Sequence, residues 1–259
     1  MDLDEFVGDL VSDISAVLVF TPAKIDVEQE TDVDVVKVGD DGDVELPLDF
    51  DRLEDRLRFG IGGCLEEGHV DEGDYVACID GVFGTTDTVT RVEATESMQT
   101  GLYGLFMNSK PDPSVIRDVI ELAVELGKKG QKGEPVGALF VIGDAGKVMS
   151  KSRPLSYNPF EKSHVHVGDP IVDVMLKEFS RLDGAFVISD SGKIVSAYRY
   201  LEADAEGIDI PKGLGTRHMA AASVTRDTNA VSVVLSESDR LVRVFKSGEL
   251  VLELDPEEY

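Results

Sequence analysis

Two stretches of almost the same wording constrain this chain more than any other feature. The first is Gly137-Ala138-Leu139-Phe140-Val141-Ile142-Gly143-Asp144-Ala145-Gly146-Lys147; the second, 47 residues on, is Gly184-Ala185-Phe186-Val187-Ile188-Ser189-Asp190-Ser191-Gly192-Lys193. Each opens as an uninterrupted apolar run of strand length and closes on small polar residues and glycine, so each predicts a buried strand followed by a turn. Gly143 to Lys147 is expected to be a hairpin turn, like its later counterpart. Two copies are too few for a solenoid, and the expectation is two similar strand–turn–strand units in one sheet.

The surrounding pattern supplies the helices. Ser114 to Lys129 carries Val115, Val119, Leu122 and Leu126 on one face and lysines at its end. Ser114 is the candidate N-cap, and Gly130 and Gly133 are the stops. Ile171 to Arg181 repeats the helical spacing at Ile171, Val174, Met175 and Phe179. Three β-rich runs follow, Ala230 to Leu235, Leu241 to Phe245 and Leu250 to Leu254, parted by short polar turns. Residues 112–259 therefore predict a mixed β-sheet flanked by helices.

Residues 1–108 predict a second, smaller α/β domain. A helix-like start from Asp4 to Asp13 leads into a strand at Ala16 to Phe20; a helix is expected over Phe50 to Gly62, and strands at Tyr75 to Ile79 and Val89 to Val92. Asn108-Ser109-Lys110-Pro111-Asp112-Pro113 marks the boundary, because two prolines oppose both helix and ladder. A chain of 259 residues suits this two-domain α/β reading.

The charge excludes some partners. With 51 acidic against 25 basic residues the formal charge is -26, which opposes binding to a nucleic-acid polymer or an anionic membrane surface. The acidity is spread along the chain, as in proteins adapted to high salt, where counterions screen self-repulsion. Met1-Asp2-Leu3-Asp4-Glu5 lacks the basic start of a signal peptide, and no apolar run is long enough to span a bilayer, so a cytoplasmic location is expected. Cys64 and Cys78 are expected as buried free thiols.

The candidate chemistry lies mostly in the second domain. Asp183-Gly184-Ala185 sets a carboxylate between a helix end and a buried strand, at the rim of a sheet, with small residues leaving room beside it; an ordinary turn has the same wording. In Gly215-Thr216-Arg217-His218 a glycine turn runs into a helix, whose free N–H groups and dipole suit a triphosphate. Thr216 can cap that helix or bond a phosphate oxygen, Arg217 offers a forked cation, and His218 can meet phosphate or metal. A plain capped surface helix remains open on these residues alone. His164 and His166 stand at i and i+2 without an evident third ligand, and read as a polar loop or strand edge more than a metal pair. Gly84-Thr85-Thr86-Asp87-Thr88 is similarly a threonine-rich turn before it is an anion loop.

The order and spacing of Asp183-Gly184-Ala185 and Gly215-Thr216-Arg217-His218, together with the preceding helix, the Gly-Ala-Leu strand, Asn158-Pro159 and the late Ser236-Glu237 turn, resemble the diadenylate cyclase domain. The resemblance covers residues 112–259. It implies a nucleotidyltransferase that condenses two ATP into cyclic di-AMP and two pyrophosphates, using Mn²⁺ or Mg²⁺, with two domains face to face in a homo-oligomer. By resemblance Asp183 binds metal and helps activate the ribose 3′-hydroxyl, with Gly184 and Ala185 completing the catalytic motif. Gly215, Thr216, Arg217 and His218 hold phosphates, His218 also metal, Ser236 and Glu237 match the start of a Ser-Glu-Glu turn, and Leu201 falls where a backbone contacts the nucleobase.

Two positions depart from the family pattern. Met219 replaces a second arginine, and Ser238 a second glutamate. Loss of an arginine–phosphate contact typically costs about 1.5 to 3 kcal/mol, which Arg226 or Arg199 is a candidate to offset. These departures keep open a catalytically silent sensor of ATP or cyclic di-AMP. Residues 1–108 are weakly similar to the carboxy-terminal domain of pyruvate kinase at Val82-Phe83-Gly84-Thr85-Thr86-Asp87-Thr88, which implies a regulatory or assembly role.

Overall fold

The computed structural model describes residues 13–20, 33–50, 52–81, 88–95, 100–130, 133–180, 183–202, 204, 208 and 210–257. The chain divides into two compact units, Met1–Met107 and Asn108–Tyr259.

In the first unit β1 (Ala16–Val19) pairs in parallel with β2 (Asp34–Lys37) and β3 (Tyr75–Asp80), and β3 pairs antiparallel with β4 (Thr88–Glu93), giving the order β2-β1-β3-β4. Helix α1 (Leu53–Glu66) starts later than the apolar spacing predicts, with Arg52 as N-cap and Glu54 and Asp55 favourably placed in its first turn. It packs on α2 (Thr100–Met107) through Phe59, whose ring stacks on Phe106 at 5.6 Å. Sequence reading missed α2 because Gly101 and Gly104 lower its helix propensity, and missed β2 because it is only four residues long with a charge at each end. Burial pushes both the Cys64 and Cys78 thiols up to about 12, so both stay protonated at neutral pH. The expected helix at Asp4 to Asp13, save Asp13, and residues 84–87 of the threonine loop lie outside the described residues.

The second unit is built on a seven-stranded sheet. Its elements are α3 (Pro113–Lys129), β5 (Ala138–Ile142), α4 (Ala145–Ser150), β6 (Ser152–Pro154), α5 (Pro170–Phe179), β7 (Ala185–Ile188), β8 (Ile194–Leu201), α6 (Thr216–Asp227), β9 (Val231–Leu235), β10 (Val242–Lys246) and β11 (Glu249–Leu254). Strand order is β11-β10-β9-β5-β7-β8-β6, antiparallel throughout except for the neighbours β5 and β7. Helices cover both faces. Leu139, Val141, Val187, Val234 and Phe245 pack with Ala221, Ala222 and Val224 of α6, while Leu235 packs toward Gly127 of α3. Every residue of β5, β7 and β9 is buried, as strands covered on both faces require.

Two local expectations are corrected here. The N-cap of α3 is Asp112, whose Oδ1 accepts from the N–H of Ser114 at 2.9 Å, because Pro113 takes the first helical position, where its missing N–H costs nothing. Gly143 to Lys147 does not form a hairpin. The chain takes positive φ at Gly143 (86°) and Asp144 (44°) and turns directly into α4, so β5 leads to a crossover rather than to an adjacent antiparallel strand. The later copy does form the hairpin: Ser189 N–H donates to the Lys193 carbonyl at 2.9 Å, and Ser189 Oγ accepts from Lys193 N–H at 3.0 Å.

Candidate functional site

At one end of the central strands the structure gathers three separated segments. Gly215 is the N-cap of α6, with φ -81° and ψ -175° and no side-chain cap, and its carbonyl accepts from the N–H groups of His218 (3.1 Å) and Met219 (3.2 Å). Thr216 is therefore the first helical residue rather than the cap. The N–H groups of Thr216 and Arg217 precede the first intrahelical bond and face the opening with the helix dipole behind them. Together with Glu134, Pro135, Leu235, Ser236, Glu237 and Ser238, the residues Gly215 to His218 line a cleft of about 650 Å³.

Arg217 joins the segments. Its guanidinium lies 4.0 Å from Oδ1 of Asp183 and 3.6 Å from Oε2 of Glu237. The Asp183 side chain is 95% exposed, Glu237 62% and Arg217 34%, so the carboxylates stand open to solvent while the cation is held close to the protein. In high dielectric such pairs contribute little to stability, and an incoming polyanion can displace them at small cost. Gly184, with φ 106°, turns the chain so that Asp183 stands clear before Ala185 enters β7; a Cβ at Gly184 would approach the Tyr198 and Arg199 backbone to 2.8–2.9 Å.

His218 differs from its neighbours on the helix. It is only 5% exposed, both ring nitrogens are buried without a hydrogen-bond partner, and the ring meets Phe245 edge-on at 6.1 Å. Burial holds its pKa below the ordinary imidazole value, and Arg243 and Arg217 act in the same direction against the opposing Asp239 and Glu253, so the ring is neutral at pH 7. As placed it forms part of the cleft wall and offers no exposed nitrogen to an ion.

Beside the cleft the buried Arg243 pairs with two exposed carboxylates next to the Ser236 turn. Arg243 donates to Asp239 Oδ2 at 2.8 Å and to Glu253 Oε2 at 2.6 Å. Burial alone would raise the Asp239 carboxyl, but hydrogen bonds from Arg243, Ser236 and the Leu241 N–H outweigh it and hold the pKa down at about 2. Ser236 itself is buried, its N–H bonded to the Leu241 carbonyl at 3.0 Å and its hydroxyl 3.3 Å from that of Ser238. Sequence reading missed Glu134, Pro135 and Arg243. The signal for Arg243 was a charge at the centre of a β-rich run, Val242-Arg243-Val244, where a solvent-facing residue was the simpler reading.

The remaining sequence candidates separate. The Leu201 side chain is in the core with Leu139, Val141 and Ala185, and its backbone lies opposite Ser152 of β6. Arg199 and Arg226 do not replace the arginine absent at position 219. Arg199 is buried and donates to Ser152 Oγ, Ser152 O and Met149 O, and Arg226 lies in the last turn of α6 beside Asp227, at the other end of the helix from Thr216. His164 and His166 are both exposed on the segment that bridges to Lys193, with Lys193 Nζ 3.5 Å from His164 Nδ1. Among the described residues no three His, Cys, Asp or Glu side chains are grouped to hold a metal ion.

Comparison with known proteins gives this arrangement its relatives. Residues 1–114 match the family described as "Diadenylate cyclase, N-terminal", and residues 125–250 match "DisA bacterial checkpoint controller nucleotide-binding". A diadenylate cyclase of Haloferax volcanii is 64% identical over 266 aligned residues, covering 99% of both chains. The chain belongs to the diadenylate cyclases. A diadenylate cyclase of Methanocaldococcus jannaschii is 46% identical over 67% of this chain and 56% of its own length. The cyclic di-AMP synthase CdaA of Bacillus subtilis is 34% identical over 34% of this chain and 31% of its own. Membership thus extends to the first unit, which has its own region in this family. No helix among the described residues is long and apolar enough to cross a membrane.

Proposed function

We propose that this diadenylate cyclase condenses two ATP molecules into cyclic di-AMP and two pyrophosphates, in a cleft that is completed when two copies meet face to face. One observation carries the reading: Arg217, from the segment at the start of α6, lies between Asp183 of the Asp-Gly-Ala motif and Glu237 of the Ser-Glu turn. Motifs far apart in sequence thereby become one site with the polarity that in-line attack on an α-phosphate needs.

The chain's own groups have distinct tasks. Arg217 and the N–H groups at the start of α6 bind triphosphate oxygens, replacing the loose contacts from Arg217 to the two carboxylates. His218 is neutral and lies in the wall with both ring nitrogens buried, so its part is to back Arg217 unless the ring turns a nitrogen into the cleft when nucleotide binds. Ser236 and Glu237 border the triphosphate, and the Leu201 backbone reads the base edge. Asp183 accepts a hydrogen bond from the attacking 3′-hydroxyl and orients it.

The donor set also suits a divalent ion. Asp183 offers one open carboxylate beside a phosphate-binding helix start, and a hard cation such as Mg²⁺ or Mn²⁺ is commonly held by one or two carboxylates plus substrate phosphates. When bound, such an ion polarises the phosphoryl oxygens and neutralises their charge. Of the two metal candidates in the sequence, Asp183 has the accessible donor.

The test is ATP turnover with identification of the product, with Mn²⁺ and Mg²⁺ compared from low to high salt. Cyclic di-AMP with pyrophosphate is expected, at a rate per protomer that rises with protein concentration as paired domains form. ATP binding without pyrophosphate release would instead favour a silent sensor, the outcome to which Met219 and Ser238 point. A fully active monomer would refute the paired site.

A further inference from the structure

Gly137 directly precedes β5 and has no positive φ to require glycine, yet a side chain there would meet the Arg217 guanidinium unless that group moved. A Cβ built there would lie 2.5 Å from Nη1 and 3.2 Å from Cζ of Arg217, and 3.2 Å from Cβ of Glu237. The obstruction comes from side chains of the cleft. Gly137 is also central in register. Ala138 pairs with Leu235, which sets Gly137 beside Ser236 on one side. On the other, Gly137 and Asp183 each stand three positions before the paired Phe140 and Phe186.

We infer that Gly137 is a positioning residue: the missing side chain just before β5 is the seat of the Arg217 guanidinium, and it lets that cation span Asp183 and Glu237. A longer group at 137 would lift the guanidinium away from the strand and toward one carboxylate. A lysine at 217 could not use the seat in the same way, since a planar fork can reach two carboxylates from one place and a tetrahedral ammonium does so less well. The inference rests on the reading of Arg217 as the phosphate-binding cation of the cyclase site, and extends it to a residue that contacts no substrate.

The experiment is a double-mutant cycle on the full chain with Gly137→Ala, Arg217→Ala and the pair, read as kcat and KM for ATP, as ATP affinity by calorimetry, and as Tm. Gly137→Ala is expected to lower kcat/KM about 10-fold or more when Arg217 is present, a loss of about 1.4 kcal/mol or more in transition-state stabilisation. In the Arg217→Ala background the same substitution should change kcat/KM by less than 2-fold, because its methyl group then enters vacated space. Equal factors in both backgrounds would show that Gly137 acts on the fold and not through Arg217, and would overturn the inference. Should Gly137→Ala fold poorly by itself, the paired variant, which removes the 2.5 Å contact with Arg217, should recover most of the Tm of Arg217→Ala; no recovery would equally overturn it. Product formation by the unmodified chain tests the cyclase reading separately. The coupling between 137 and 217 can be read from ATP affinity even where no product forms, whereas a chain that binds no ATP would refute both.

Discussion

The strands that begin after Gly137 and Gly184 share a wording and lie side by side in parallel, and nearly everything that matters about the site lies in how they differ. Before the first glycine stands Val136, 8% exposed; before the second stands Asp183, whose side chain is 95% exposed. Gly137 is a glycine because a guanidinium occupies the place of its side chain, and Gly184 because its backbone has φ 106° against the chain at Tyr198. At the other end, Asp144 enters a helix while Asp190 lies in a hairpin. One apolar word thus serves twice as a buried strand, while chemistry and topology are set by the residues at its edges.

Four substitutions break or sharpen this contrast. The largest expected effect is Asp183→Asn, which should reduce cyclic di-AMP formation roughly 100-fold or more, about 2.7 kcal/mol of transition-state stabilisation. Because that side chain is exposed and its pairing loose, thermal unfolding should be unchanged; a large fall in Tm would mean that Asp183 supports the fold rather than the reaction. Gly184→Ala should act on the fold, destabilising the chain by about 1–3 kcal/mol in denaturant titration, since the left-handed backbone and the 2.8 Å approach to Tyr198 both oppose a Cβ.

The two turn glycines at matching places should respond with opposite signs. Gly192→Ala, at φ 85° and with Val115 Cγ2 at 3.1 Å from the new Cβ, is expected to cost about 1 kcal/mol and loosen the β7–β8 hairpin. Gly146→Ala places a methyl in open space on the exposed side of α4, and should stabilise by about 0.5 kcal/mol through the unfolded chain. Equal responses at 146 and 192 would mean that the first copy also forms the hairpin its wording suggests.

Much of this was legible in the residues. The paired strands, the helices at 114 and 171 and the three closing strands all follow from apolar periodicity, and of the two motifs Gly215 to His218 lines the cleft while Asp183 reaches it through Arg217. What was not legible depended on distant partners. Glycine at 137 has an ordinary backbone, so only Arg217, 80 residues away, explains it. His218 looked like an open ligand because it follows Arg217, yet α6 turns it inward against Phe245. Arg199 looked available, but the β6 backbone and Ser152 hold its guanidinium.

By itself the sequence determined the α/β class, the mixed sheet of the second unit and the residue types able to meet a triphosphate, because these depend on local periodicity and on the chemistry of single side chains. Only the tertiary structure decided that Asp183, Arg217 and Glu237 face one another, that His218 is part of the wall, and that the first strand–turn word leads to a helix. Those outcomes depend on which elements of the sheet become neighbours, and on the few ångströms of space left where their side chains meet.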